Sequence, residues 1–177
     1  MPVAPILSSE RLVLSPLSTA DREPLLGLFS KEPVNRYLLD GRVPEADWVA
    51  EVVADSQADF LRRGLGFWTA RRREQPTGDA PGWCGLVGYR DFHDPPVEEL
   101  VYALDPGAWG VGLAREMVAV VIEYAFEVGR DRVRASVDLP NEGSLRLLRR
   151  LGFRQTHREA RSSDQPWDQL HWELVRE

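Results

Sequence analysis

The chain has 177 residues, of which 43% are hydrophobic and 28% are charged, and its formal net charge is −6 at pH 7. This length and composition are typical of one globular domain with a substantial core. The negative charge argues against broad binding to nucleic acid or anionic membranes. No apolar run approaches the roughly 18 residues of a membrane span, and the N-terminus lacks a secretory signal. We therefore expect a single cytoplasmic domain over residues 1–177.

The first half of the chain predicts a strand, two helices and two further strands. The segment SSERLVLSPL alternates apolar and polar residues, which is typical of a strand. The segments STADREPLLGLFS and VPEADWVAEVVADSQADFLRRG have helical spacing, and Gly64 ends the second helix. GFWTARRRE and GWCGLVGYRDF are strand-like, and the turn-rich segment from Gln75 to Gly82 is expected to join them in a hairpin.

The second half predicts four more strands and two helices. EELVYAL, from Glu99 to Leu104 with Glu98 before it, is followed by a glycine-rich loop and a helix with an apolar face. RVRASVDL is the next strand, NEGSLRLLRRLGF is a helix that ends at Gly152, and FRQTHRE and DQLHWELVRE form a final antiparallel pair. This order predicts a mixed sheet with helices on its faces, an α/β or α+β fold, with a parallel crossover around the loop.

The loop ALDPGAWGVGLARE carries Gly107, Gly110 and Gly112 directly before a helix. A helix N-terminus has unpaired N–H groups and about half a positive charge, so it favours phosphate where side chains are small. Arg115 adds a cation, although a turn that merely packs the helix against the sheet is an alternative interpretation. A P-loop is excluded because Gly-Lys-Ser/Thr is missing, and a dinucleotide fingerprint would need Gly or Ala in place of Arg115.

The segment DPGAWGVGLARE resembles the acetyl-CoA loop of the GNAT superfamily of N-acetyltransferases, whose Gln/Arg-x-x-Gly-x-Gly/Ala pattern lies on Trp109, Gly112 and Ala114. SERLVLSPL, EPVNRYL, ELVYAL and NEGSLRLLRRLGF resemble the branch that includes the ribosomal-protein alanine N-acetyltransferases. The resemblance covers nearly the whole chain. It implies a mostly antiparallel, seven-stranded sheet with helices on both faces and a split between strands 4 and 5.

The resemblance also implies that acetyl-CoA is the cosubstrate. Its pantetheine arm would lie in the split and pair with backbone groups around Tyr102 to Leu104 that otherwise lack a partner, and its pyrophosphate would lie on the loop. The residues then expected to bind it are Tyr102, Ala103, Leu104, Trp109, Gly110, Val111, Gly112, Leu113, Ala114, Arg115, Asn141 and Ser144. For Asn141, a role as the N-cap of the last helix is an alternative, and both roles are compatible.

Acetyl transfer to an amine needs a base for the ammonium, a donor for the oxyanion and a proton for the thiolate. Many GNAT enzymes use a Tyr on the last helix for the thiolate, but Leu148 occupies that position here, so the resemblance points to Ser144. Glu99 is the first candidate for the base, because alternation along the strand beside the split places it on the same face as Val101 and Ala103. Glu98 and His93 are alternatives, and a solvated acidic pair is the interpretation without function.

The remaining histidines and the cysteine predict no further site. The three histidines are scattered in sequence and have no ligand spacing, so we expect no metal. Cys84, the single cysteine, lies in an apolar run and is expected to be a buried packing thiol.

We expect an acetyl-CoA-dependent N-acetyltransferase that acts by direct transfer on a protein N-terminal α-amine or a small-molecule amine. The acceptor site is expected to be built from EPVNRYLLDG, a loop that leads out of the first helix and contains Arg36, together with the second helix and the loop REARSSDQPWDQ. Tyr37, Trp48, Trp68 and Trp167 are candidate contacts. No nucleic acid or membrane partner is expected, and the chain is either a monomer or a homodimer. A non-catalytic acyl-CoA-binding or sensing module and an unrelated nucleotide-binding domain are the alternatives.

Overall fold

The computed structural model describes residues 4–73, 82–93, 95–163 and 166–176. The predicted hairpin segment from Gln75 to Gly82 lies outside the described residues, apart from Gly82 itself. The described ranges contain eight strands: β1 (Leu7–Ser8), β2 (Leu12–Pro16), β3 (Phe67–Arg72), β4 (Trp83–Phe92), β5 (Val97–Leu104), β6 (Arg132–Asp138), β7 (Arg154–Glu159) and β8 (Gln169–Val175). They contain five α-helices: α1 (Arg22–Phe29), α2 (Glu32–Leu38), α3 (Ala46–Arg63), α4 (Leu113–Glu127) and α5 (Glu142–Arg150).

The strands form two sheets that meet at a split. Five strands pair in the order β1-β2-β3-β4-β5, and three pair in the order β6-β8-β7, all of them antiparallel. No ladder joins β5 to β6 within the described ranges, so the predicted split between these two strands is confirmed. The strand count differs from the expected seven because β1 has only two residues, too few to show a periodic pattern.

A further difference is helix α2. The segment EPVNRYL was expected to lead out of the first helix as a loop, with Arg36 in it, but it forms a helix of seven residues. Proline in the first turn and Glu32 near the N-terminus both favour a helix start, and Arg36 lies favourably in the last turn. None of the helices in the described ranges combines the length and apolar character needed to cross a membrane.

The predicted helices on both faces are confirmed by two apolar cores. On one face, Trp68 of β3 and Val87 of β4 pack with α4 and α5. On the other face, the neighbouring residues Phe67 and Leu86 pack with α1, α2 and α3. Consecutive strand residues therefore belong to opposite cores, as the alternation of side chains in a strand requires.

Helix α4 is anchored by one continuous apolar face. Its buried residues are Leu113, Met117, Val118, Val121, Ile122 and Ala125. Burying each large apolar side chain contributes about 1.5–3 kcal/mol, so this face holds the helix firmly on the sheet. The first turn of α4, which follows the glycine-rich loop, is consequently fixed in position beside the end of β5.

Cys84 lies inside the sheet on β4. Its side chain is buried, and its Sγ donates to the carbonyl oxygen of Ala70 at 3.3 Å. Burial raises the pKa of the thiol to about 11, so the unreactive thiol form is the stable one. The prediction of a buried packing thiol is confirmed.

Candidate functional site

The split between β5 and β6 opens into a cavity of about 350 Å³, which we call the inner cavity. Most of its lining comes from the end of α2, the strands β5 and β6, and the start of α5, and Phe92 of β4 and Gln169 of β8 also contribute. Its lining residues are Tyr37, Leu38, Asp40, Phe92, His93, Glu99, Leu100, Val101, Tyr102, Ala135, Ser136, Val137, Asp138, Asn141, Ser144 and Gln169. Glu99 and Ser144, the two predicted catalytic residues, therefore line one space, together with Tyr102 and Asn141.

The glycine-rich loop lies at the exposed end of the split. Gly110 and Gly112 adopt left-handed conformations with φ of +79° and +83°, which residues with a side chain rarely adopt. Gly112 is the N-cap of α4 and no side chain caps this terminus. The first N–H groups of a helix have no acceptor inside it, so this terminus presents donors suited to an anion. Trp109 and Val111 are 49% and 55% exposed, so the loop surface is open to a ligand.

Arg11 holds this loop in place. Its Nη1 donates to the carbonyl oxygen of Val111 at 2.9 Å, and its Nε donates to Glu116 Oε2 at 2.7 Å. Ser9 also donates to Glu116, from Oγ to Oε1 at 2.6 Å. The strand β2 region is thereby tied to both the loop and the first turn of α4. Sequence reasoning missed this role, for which the only signal was the SERL segment.

The backbone at the end of β5 differs in one respect from the expectation. Its carbonyl groups were expected to be free for a cofactor, but the Trp109 indole Nε1 donates to the Leu104 carbonyl oxygen at 2.8 Å. The expectation of unpartnered groups is therefore wrong for this carbonyl. The contact fixes the indole against the end of β5 and helps to shape the loop.

Asn141 and Ser144 form the start of α5. The side-chain Oδ1 of Asn141 accepts from the backbone N–H of Ser144 at 3.2 Å, which confirms the predicted N-cap. Both residues also line the inner cavity, so capping and ligand contact are compatible at this position. Leu148, one turn further on, is completely buried and offers the cavity no acid.

The side chain of Tyr102 is a candidate that sequence reasoning missed, because only its backbone was considered. Its hydroxyl is buried and makes no hydrogen bond of normal geometry among the described residues, although the Ser144 side chain lies close enough to affect its pKa. Burial raises the pKa of Tyr102 to about 12, and the neighbouring Ser144 side chain offsets part of that rise. A buried O–H group without a partner costs stability. Within the inner cavity it is also a donor available to a ligand.

Glu99 and Glu98 have different surroundings. Glu99 is 5% exposed, and its Oε1 accepts from Ser136 Oγ at 2.7 Å and contacts His93 Nε2 at 3.0 Å. Glu98 instead pairs with Arg130 at 2.8 Å and with Arg63 at 3.1 Å. The alternation along β5 thus places one carboxylate in the cavity and the other in a network of ion pairs.

The three histidines, which are scattered in sequence, are close in space. The pairing register places His171 of β8 opposite Ser136 of β6 on one side and His157 of β7 on the other. The rings of His157 and His171 stack with centroids 4.0 Å apart, and His93 lies 5.6 Å from His171. The interpretation of unrelated histidines is therefore wrong, since strand register decides which residues meet.

Hydrogen bonds connect this group. Ser136 Oγ lies 2.9 Å from His171 Nδ1, and His171 Nε2 lies 3.1 Å from Glu159 Oε2. The ligating atoms of His93, Glu99 and His171 fall within 4.8 Å of one another. The Ser136 hydroxyl is hydrogen-bonded to two of them, so the arrangement is that of a proton-bearing network.

Two groups in this region have shifted pKa values. Burial lowers the pKa of His171, and a charge on His157 lowers it further, while Glu159 and Glu99 act in the opposite direction. Burial raises the pKa of Asp138 to about 6, with a further rise from the charge on Asp40. Asp138 lines the inner cavity together with Tyr102, whose pKa is also raised, and shifted groups that share a cleft are typical of functional sites.

The predicted acceptor aromatics separate into two groups. Tyr37 lines the inner cavity, and its hydroxyl donates to the Pro140 carbonyl oxygen at 3.4 Å. Trp68 is fully buried, and its indole donates to the Pro5 carbonyl oxygen at 2.9 Å, so its assignment to the acceptor site is wrong. Trp48 packs edge-on against Phe29 at 5.6 Å and is not part of the cavity lining.

The acetyltransferase (GNAT) domain family matches residues 11–154 of the chain. The protein belongs to this family. It is 29% identical over 153 residues to the uncharacterized N-acetyltransferase YoaA of Bacillus subtilis (strain 168), a match that covers 85% of this chain and 84% of the relative. The predicted resemblance to GNAT acetyltransferases is confirmed.

Solved GNAT structures share the fold. An acetyltransferase from Salmonella typhimurium that modifies the N-terminal serine of 50S ribosomal subunit protein L7/L12 has a TM-score of 0.80 and 13% identity, with 98% of this chain and 100% of that chain covered. YncA of Salmonella typhimurium, solved with its cofactor acetyl-CoA, has a TM-score of 0.70 and 18% identity, with 94% of each chain covered. At these identities the likeness concerns the fold.

Proposed function

We propose that this GNAT protein transfers the acetyl group of acetyl-CoA directly to a primary amine in the inner cavity. The observation that carries the proposal is that a buried carboxylate, Glu99, shares this cavity with the hydroxyl groups of Tyr102 and Ser144. A base and a proton donor on one cavity are what amine acetylation needs. The family supplies the reaction class, and these residues supply the proton chemistry.

The residues present fit acetyl-CoA. The open space around Gly110 and the uncapped N-terminus of α4 provide a surface where a pyrophosphate can approach the backbone. In this proposal the N–H groups from Val111 to Arg115 hold the phosphates, and the segment Tyr102–Leu104 with Asn141 holds the arm. When bound, the thioester supplies the activated acetyl group.

Glu99 is the proposed base. An aliphatic amine is mostly an ammonium ion at neutral pH and must lose a proton before it attacks a carbonyl carbon. Both observed hydrogen bonds of Glu99 are made to Oε1. The other carboxylate oxygen is therefore available to the amine. The deep burial of the side chain keeps water from competing for it.

Ser144 and Tyr102 are the proposed donors to the leaving sulfur. As the C–N bond forms and the C–S bond breaks, the ammonium gives up two protons in all. Glu99 takes one of them, and the other ends on sulfur through the hydroxyl groups of Ser144 and Tyr102. A backbone N–H near Tyr102 or Ala103 donates to the developing oxyanion.

The charges of the inner cavity favour a cationic acceptor. Three carboxylates line it, from Asp40, Glu99 and Asp138, and its described lining contains no Lys or Arg. This composition attracts an ammonium group and repels acceptors that carry a phosphate or a free carboxylate near the amine. A protein N-terminal α-amine and a small-molecule polyamine both fit this description.

A non-catalytic acyl-CoA sensor is the second candidate. The buried Leu148 favours it, because this position holds no acid. Glu99 argues against it, since an acyl-CoA sensor has no need to place a carboxylate 5% exposed in the cavity.

The test has two stages. A thermal-shift assay should show stabilisation by acetyl-CoA and none by NAD or ATP at equal concentration. Thiol release is then measured with acetyl-CoA and a panel of N-terminal peptides, polyamines and aminoglycosides. Acceptor-dependent release is the expected result. Tight acetyl-CoA binding without release across the whole panel would favour the sensor instead.

A further inference from the structure

We infer that Ser136, His171 and Glu159 form a proton relay that carries the proton taken by Glu99 from the inner cavity to solvent. This inference rests on the proposed function, because it concerns the fate of the proton that the acceptor amine loses. We call Glu99, Ser136, His171 and Glu159 the relay residues. His171 acts here through Glu99, so it is a positioning and proton-accepting residue.

The relay residues form an unbroken line of short contacts. Glu99 Oε1 to Ser136 Oγ is 2.7 Å, Ser136 Oγ to His171 Nδ1 is 2.9 Å, and His171 Nε2 to Glu159 Oε2 is 3.1 Å. Each distance is that of a hydrogen bond, along which a proton can move without rearrangement of the backbone.

Burial falls along this line. The side chains of Glu99 and His171 are 7% and 11% exposed, whereas that of Glu159 is 53% exposed. The line also joins two cavities. Glu99 lines both the inner cavity and a second one of about 510 Å³, which we call the outer cavity, whereas His171 and Glu159 line only the outer cavity. The direction from a buried base to an exposed carboxylate is that of a proton exit.

A count of protons supports the same conclusion. The three contacts need three bridging hydrogens, but the Ser136 hydroxyl and a neutral His171 ring supply only two. The third is one further proton, which has two possible positions. When this proton is bound to Glu99, the Glu99 carboxyl donates to Ser136 Oγ, and the Ser136 hydroxyl donates to His171 Nδ1. When this proton is bound to His171, the Nδ1–H group donates to Ser136 Oγ, and the Ser136 hydroxyl donates to the Glu99 carboxylate.

The two arrangements differ only by a shift of two protons along two hydrogen bonds. In both of them His171 Nε2 donates to Glu159, so the outer contact is unchanged by the shift. A proton received by Glu99 therefore becomes a proton on His171, and Glu99 returns to the carboxylate form. Transfer of the Nε2 proton through Glu159 to water completes the exit, and the ring returns to its Nε2–H tautomer before the next turnover.

The groups around His171 suit it to this role. Burial and the adjacent His157 lower its pKa, so the ring is neutral and able to accept a proton at neutral pH. Glu99, Glu159 and, across the ring, His93 also face it, and the carboxylates stabilise the charged ring once it forms. Arg134 and Glu173, which line the outer cavity, pair with each other at 3.3 Å.

The activity test compares two substitutions at Ser136. Ser136→Ala removes the bridging hydroxyl, and Ser136→Thr keeps it on a strand that accepts a β-branched residue. We expect Ser136→Ala to lower kcat at least about ten-fold, with Ser136→Thr within about three-fold of wild type, and with KM for acetyl-CoA unchanged in both. We also expect kcat measured in mixtures of H₂O and D₂O to show that several protons move in wild type. In Ser136→Ala the same measurement should show that only one proton moves. Equal kcat and equal isotope effects in Ser136→Ala and wild type would overturn the relay.

A second test needs no turnover. The chain has three histidines, so the His171 ring signals can be assigned by NMR and titrated in wild type, Glu99→Gln and Ser136→Thr. Because Glu99 raises the pKa of His171, Glu99→Gln should lower its midpoint, while Ser136→Thr should leave it in place. A His171 midpoint that is the same in wild type and Glu99→Gln would overturn the relay, even if Ser136→Ala did not fold.

The failures of the two proposals are distinguishable. A wild-type protein that acetylates no amine ends the proposed function, whereas a wild type that turns over as fast as Ser136→Ala ends only the relay. Activity that is lost on adding EDTA and restored by Zn²⁺ would also overturn the relay, in favour of a metal centre at His93, Glu99 and His171.

Discussion

The two ends of the split between β5 and β6 are built in different ways. The exposed end, which holds the glycine-rich loop, consists of one contiguous segment from Trp109 to Arg115. The groups that it can offer a ligand are backbone N–H donors. The inner end is assembled from side chains of separate strands and helices, among them Glu99 and Ser136, and these are largely buried. Backbone donors depend on the conformation of the chain, whereas proton transfer depends on the identity of each side chain. Substitutions at the exposed end should therefore change the affinity for acetyl-CoA, and those at the inner end should change kcat.

The largest expected effect is that of Glu99→Gln. The amide has nearly the same shape but accepts no proton, so kcat should fall by about 10²- to 10⁴-fold while acetyl-CoA affinity is retained. Thiol-release kinetics and calorimetric titration with acetyl-CoA measure the two quantities. Glu98→Gln is the matched control. Its ion pairs with Arg63 and Arg130 are structural, so it should lower the melting temperature and leave kcat in place. Equal losses of kcat in both variants would contradict the assignment of the base.

The next effect concerns the two hydroxyl groups that are proposed to donate to the leaving sulfur. Ser144→Ala and Tyr102→Phe should each lower kcat by roughly ten-fold or more with little change in acetyl-CoA affinity. The two losses should not be additive in the double variant if the groups act as one donor. Tyr102→Phe removes a buried hydroxyl that makes no hydrogen bond of normal geometry among the described residues, so it should not reduce the free energy of unfolding. Turnover unchanged in Ser144→Ala would remove that residue from the mechanism.

A smaller effect is expected at the exposed end of the split, in the glycine-rich loop. Gly112→Ala forces a side chain into a left-handed conformation at φ +83°, which costs about 1–2 kcal/mol and should shift the loop. Acetyl-CoA affinity should then weaken by about five- to thirty-fold, as titration calorimetry would show. Gly129→Ala is the control because its φ is +96° just beyond the other end of α4. Both variants should lose similar stability, and a similar loss of affinity in both would show that the loop geometry is not what binds the ligand.

The smallest effect concerns stability and pH at the inner end. Burial raises the pKa of Asp138 from 3.8 to about 6, so the folded state holds the proton more tightly than the unfolded chain. The neutral acid is favoured on folding, and this contribution is lost as the pH rises through about 6. Asp138→Asn stays neutral and should be more stable than wild type by on the order of 1–2 kcal/mol at pH 8, with little gain at pH 4. Melting curves across this range test it, and parallel curves for the two proteins would contradict it.

Contiguous features of the site could be predicted from the sequence. The loop motif, the capping Asn141 and the alternation that directs Glu99 into the cavity each depend on residues a few positions apart. The split between the sheets followed from the family resemblance. Such features are readable because local spacing determines their geometry.

The relay residues could not be predicted in the same way. Their proximity depends on the register between β6, β8 and β7, which places Ser136 and His157 opposite His171. A shift of one residue in either ladder would direct these side chains to the other face. The unpartnered Tyr102 hydroxyl and the Arg11 clamp on the loop likewise depend on long-range packing. Neither β1 nor α2 was predicted, the first because two residues carry no period and the second because EPVNRYL was interpreted as a connection.

The burial of Cys84 has a consequence for how this protein responds to oxidants. With its sulfur inside the sheet and the pKa of the thiol raised to about 11, it is largely protected from peroxide and from mixed disulfides with coenzyme A. The chain has no other cysteine. The proposed acetyltransferase activity should thus be insensitive to thiol oxidation, and sulfhydryl-modifying reagents should not react with the folded protein.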